Sequence, residues 1–104
     1  MKKQYNKLVR DLIPEVIKKK GGNCRFEILS EHDYIERLEQ KINEEVAEYQ
    51  QDKSLDELAD ILEVIHAIVK YRGYTVGQLE AKRKEKANSR GSFDKRILLL
   101  EVDE

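Results

Sequence analysis

Two apolar stripes of helical period, separated only by Gln51-Asp52-Lys53, restrict this chain more than anything else in its sequence. Ile35, Leu38, Ile42, Val46 and Tyr49 recur at three- and four-residue steps, and Leu58, Ile61, Leu62, Ile65, Ile68 and Val69 resume the pattern after the break. Such spacing lines one side of each helix with side chains that need cover. Helices joined by so short a connection must lie antiparallel, stripe against stripe.

Three start signals punctuate the chain. Ser30-Glu31-His32-Asp33, Ser54-Leu55-Asp56-Glu57 and Thr75-Val76-Gly77-Gln78 each set a hydroxyl three positions before an acid or amide, the spacing of a reciprocal N-terminal cap. They predict helices ending near Gln51, near Arg72-Gly73 and between Asn88 and Gly91. Upstream, Asp11 with Pro14 in the first turn opens a shorter helix to about Lys20, which Gly21-Gly22-Asn23 stops. Residues 25–29 alternate enough for a short extended segment, and 97–102 reads as a strand or an arm; the two are candidates to pair. The expected fold is all-α in one domain, 1–104: an antiparallel helical hairpin extended to a four-helix arrangement and completed by oligomerisation.

Composition agrees with that class. Hydrophobic and charged residues each make up 39%, with Gly 5 and Pro 1, as in a helix-rich globular chain. At 104 residues, covering so much apolar stripe within one copy is demanding, which is the reason to expect partners of its own kind. Lys+Arg 20 against Asp+Glu 21 leaves a net charge of −1, so no global basic field recruits nucleic acid. The longest aliphatic run, Ile97 to Leu100, is far too short to span a bilayer. A single cysteine, Cys24, and an N-terminal stretch that leads into no apolar signal core make the cytoplasm the expected compartment.

The acids are the chemical anomaly. At about 100° per residue, Glu45 lies on the apolar arc of its helix beside Leu38 and Tyr49, with Glu48 at the margin and Glu44 further toward solvent. On the following helix Glu57 falls next to Ile61 and Ile68, Asp60 at the margin and Glu63 on the far side. Glu45 with Glu48, and Glu57 with Asp60, are i,i+3 pairs that rise on one face, and an antiparallel hairpin brings the pairs together. Four like charges converging there repel one another unless a cation offsets them. Each acid also has a plainer role. Glu44 and Glu63 suit solvent, while Glu57, third in its capping box, has the spacing to bond the Ser54 amide. All-oxygen ligands without a Cys or His pair favour Mg²⁺, with Mn²⁺ as the alternative. Because Mg²⁺ holds few carboxylates and takes waters and phosphate oxygens besides, a phosphate-bearing ligand is expected to complete its shell.

With these residues in view the chain resembles the MazG-like all-α nucleoside triphosphate pyrophosphohydrolases, in their phosphoribosyl-ATP pyrophosphohydrolase-like branch. The resemblance rests on Tyr5-Asn6-Lys7-Leu8-Val9-Arg10-Asp11 with Ile13-Pro14, on Glu44-Glu45-x-x-Glu48 followed by Glu57-x-x-Asp60, and on Lys86-Ala87 with Arg90-Gly91-Ser92-Phe93. It implies hydrolysis of a nucleoside triphosphate between the α and β phosphates, giving the monophosphate and pyrophosphate. It implies further that Glu45, Glu48, Glu57 and Asp60 bind Mg²⁺, that Glu44 assists them or orients water, and that Lys7, Arg10, Lys86, Arg90 and Arg96 hold phosphates. Tyr5, Tyr49 and Phe93 are candidates to stack on a base, although an aromatic at helical spacing such as Tyr49 is more often core. Members of the family build their sites in dimers or larger assemblies, so a homodimer or homotetramer is implied. The competing expectation is a non-catalytic helical module, dimeric and regulatory, whose acids form only a wet face.

Overall fold

The computed structural model describes residues 2–103 and is all-helical. Among them run four helices: α1 (Ile13–Lys19), α2 (Glu31–Asp52), α3 (Leu55–Tyr71) and α4 (Val76–Arg90). Local chemistry sets their ends. The hydroxyls of Ser30, Ser54 and Thr75 accept from the amides of Asp33, Glu57 and Gln78 respectively, so every start signal is used. Only the last is a reciprocal box, in which the Gln78 side chain accepts the Thr75 amide in return.

The stops are equally specific. After α1 and again after α3 the chain closes with a paired motif: Gly21 and Gly22 donate to the Lys18 and Ile17 carbonyls, and Gly73 and Tyr74 to those of Lys70 and Val69. Gly21 and Gly73 sit at φ of 86° and 89°, the left-handed conformation this ending demands and glycine adopts without steric cost. Between α2 and α3 the connection is tighter than the sequence suggested. Helix α2 runs through Asp52, leaving Lys53, left-handed at φ 56°, and Ser54 to turn the chain.

That turn folds α2 back on α3, and their interface holds the buried residues. Leu38 and Val64 are the buried apolar side chains among the described residues, and Glu45 is buried with them. At the open end Tyr34 meets Tyr71 edge-on at 6.1 Å, and Arg72 pairs with Glu39 at 3.2 Å. Helix α4 touches α3 more lightly, and α1 packs extensively on no helix. The four-helix arrangement is therefore an α2/α3 hairpin with α4 lightly against α3, while α1, among the described residues, touches no other helix. Segments 25–29 and 97–102 form no ladder, with each other or with anything else described, because Phe26, Ile28 and Ile97 to Leu100 stand exposed without a partner strand.

Extents of 61 × 32 × 24 Å and a radius of gyration of 18.3 Å, against roughly 13 Å for a compact chain this long, describe an extended molecule. Leu55, Leu58 and Leu62 on α3 remain open to solvent, as do Phe93 and the run Ile97 to Leu100. No described helix is long and apolar enough to cross a membrane.

Candidate metal centre

The hairpin's antiparallel geometry brings α2's acid pair opposite α3's. One carboxylate oxygen from each of Glu45, Glu57 and Asp60 lies within 4.8 Å of the other two. Glu45 comes from the middle of α2, on the same side as buried Leu38, and is itself only 6% exposed. Glu57 and Asp60 rise together from the first turns of α3, half-buried. A carboxylate this enclosed retains its charge only where cations or donors compensate it.

The compensation is partial. Lys41, one turn before Glu45 on α2, places its Nζ 3.4 Å from Glu45 Oε1 and 4.0 Å from Glu44 Oε1. Among the described residues neither Glu45 Oε2 nor Glu57 Oε2 has a hydrogen-bond partner, although both atoms are buried. Glu44 Oε1, also buried, is within 3.6 Å of Lys7 Nζ but accepts no hydrogen bond. Desolvation, then the neighbouring charge of Glu48, pushes the Glu45 carboxyl above its ordinary value, with Lys41 pulling the other way. Glu57 is pushed up likewise, first by desolvation and then by Glu48. Both groups are short of positive charge.

Capping does not occupy the Glu57 side chain. The Ser54 hydroxyl accepts the Glu57 amide at 3.3 Å, while the Glu57 carboxylate turns toward Glu45 and Asp60 instead of reaching back. Of the four acids anticipated as ligands, Glu48 is the exception. It is exposed and lies outside the converging trio, near enough to raise the proton affinity of both Glu45 and Glu57.

From the N-terminal segment, Arg10 Nη2 donates to Asp60 Oδ1 at 2.7 Å, and that bond raises the guanidinium's own proton affinity further. Lys7 reaches Glu44 on α2, as given above. Two of the anticipated phosphate holders thus stand beside the acids. The remaining ones do not. Lys86 and Arg90 are exposed on α4, and Phe93 and Arg96 lie exposed beyond it; no ion pair or hydrogen bond among the described residues joins any of the four to the acids. Arg37 contributes as well, its Nη1 donating to the Asn6 carbonyl at 3.0 Å, a contact that no local pattern in the sequence signals. The Lys41 contact is legible in the sequence, since i,i+4 spacing from Glu45 places the two on one face.

Hard oxygen donors, two of them buried and bare, are the donor set that Mg²⁺ accepts, so the residues present fit such an ion. A second group, His32, Asp33 and Glu36 at the start of α2, is fully exposed, and His32 is taken up by Glu36 at 3.3 Å. No family model, curated protein or solved structure matches the chain.

Proposed function

We propose that the chain is a Mg²⁺-dependent nucleoside triphosphate pyrophosphohydrolase, cleaving between the α and β phosphates to give a nucleoside monophosphate and pyrophosphate, as its resemblance to the MazG-like enzymes implies. The observation that carries this reading is the convergence of Glu45, Glu57 and Asp60 with two buried oxygens left bare. Glu45, Glu57 and Asp60 hold the ion, with Glu48 at the rim; Mn²⁺ is the substitute. Bound there, Mg²⁺ neutralises phosphate charge and lowers the pKa of a coordinated water. Lys7 and Arg10 bind the anionic phosphates, their charges standing at the edge of the acids. Glu44, whose Oε1 accepts no hydrogen bond among the described residues, assists these ligands or orients water.

The exposed leucines of α3 and the apolar tail support assembly as a homodimer or homotetramer. Within such an assembly Lys86, Arg90, Arg96 and Phe93 belong to the nucleotide-binding surface of a neighbouring copy. The compartment proposed is the cytoplasm. Incubation of the protein with a panel of canonical and modified triphosphates in Mg²⁺, reading released pyrophosphate, tests the activity. Release from at least one triphosphate is expected; none, with no Mg²⁺-dependent rise in melting temperature, refutes it.

The second reading, a helical interaction module without catalysis, draws on the same exposed face of α3. It predicts a melting temperature indifferent to Mg²⁺.

A further inference from the structure

Residues 6–10 have no regular secondary structure, yet they are fixed at three points across the open edge of the hairpin. Arg37 on α2 holds the Asn6 carbonyl, Lys7 pairs with Glu44 on α2, and Arg10 bonds Asp60 on α3. The segment is a strap spanning both helices beside the acids. Asn6, within this strap, is left-handed at φ 48°, a conformation asparagine tolerates better than most residues.

Arg37 differs from the other two basic residues in what it touches. Among the described residues it makes no ion pair, and its bond goes to backbone, so it anchors the strap without neutralising the acids. Among the described residues the Lys7 and Arg10 side chains are held by acids alone, Glu44 and Asp60. A divalent cation held by Glu45, Glu57 and Asp60 competes directly with Arg10 for Asp60, and its charge opposes Lys7 beside the neighbouring Glu44. The Arg37 to Asn6 bond contains no acid and survives. An anion placed between cation and strap then restores attraction on both sides, and the strap is already in position to supply it.

We propose that Arg37 is a positioning residue: through the Asn6 carbonyl it keeps the strap over the site when metal loading releases Lys7 and Arg10 from their acids, so that both can close on a phosphate-bearing ligand. This rests on the metal-centre reading given above. It makes metal and anion binding mutually reinforcing, with the strap as the coupling element.

Calorimetric titration of wild type, Arg37→Met, Arg37→Lys and Asn6→Val tests it, using Mg²⁺ alone and then inorganic pyrophosphate at saturating Mg²⁺. Arg37→Met and Asn6→Val are expected to bind Mg²⁺ as wild type does and pyrophosphate about three- to tenfold more weakly, the scale of one exposed hydrogen bond from a charged donor. Arg37→Lys, which keeps a donor for the carbonyl, recovers most of the loss. Trypsin should also cut after Lys7 and Arg10 faster in Arg37→Met, with helical content unchanged. Pyrophosphate binding equal to wild type in Arg37→Met, or no recovery in Arg37→Lys, overturns the proposal. Absence of Mg²⁺ binding by wild type overturns the metal-centre reading instead, and the trypsin comparison, which needs no metal, still decides whether Arg37 holds the strap.

Discussion

Glu45 and Glu57 show how a single side chain's surroundings set its cost. Each has its carboxyl raised from the ordinary value of 4.5, so the folded chain holds protons there more tightly than the unfolded chain. The sign follows from linkage: stability falls as pH rises from about 4.5 through the folded values, and is recovered on acidification. Glu45→Gln is therefore expected to raise the melting temperature of the metal-free protein at pH 7, the gain disappearing below about pH 4.5 in a thermal scan across pH. Asp60 differs, because Arg10 offsets its charge at 2.7 Å. Asp60→Asn should abolish Mg²⁺-dependent pyrophosphate release while shifting stability by about 1 kcal/mol at most, the scale of an exposed ion pair. Glu57 was the residue for which sequence could not choose, since the capping position and the metal-facing position belong to the same side chain. Rotamer, not register, decided between them. Contacts such as Arg10 with Asp60 and Arg37 with Asn6 were beyond reach for another reason: nothing local relates residues that far apart in the chain.

At the scale of elements the sequence was far more legible. Caps, glycine stops and apolar stripes act over a few residues, so α2, α3 and α4 lie within a residue or two of their expected ends. Segments 25–29 and 97–102 do not pair, because alternation yields a strand only where a partner edge exists. The two-residue turn between α2 and α3 supports a direct test. Lys53 is left-handed, which costs a non-glycine residue about 1 kcal/mol or more. Its side chain returns little, through an exposed bond to Gln50 at 2.7 Å and a cation–π contact with Tyr49 at 5.3 Å. Lys53→Gly should raise stability by about 0.5 kcal/mol, and Ser54→Ala should lower it by about 1 kcal/mol, both measured by denaturant midpoint.

For the molecule as a whole, the balance between stripe and cover is what one copy leaves unmet. Leu55, Leu58 and Leu62 are 80%, 45% and 50% exposed along one face of α3. Isolated surface leucines are ordinary, but a contiguous row asks for a covering surface. If a second copy provides it, melting temperature rises with protein concentration, and Leu58→Lys abolishes that dependence and lowers the sedimentation coefficient to that of a single chain. The hairpin has a kinetic consequence as well. Glu45 and Glu57 lie only twelve positions apart and meet when the Lys53-Ser54 turn closes, so the repulsion between them is present early, while the chain is crossing its folding barrier. Screening salt or mild acid should then accelerate refolding in stopped-flow measurements, rather than only slow unfolding. On that outcome, the turn that assembles the acids is also a step at which charge resists folding.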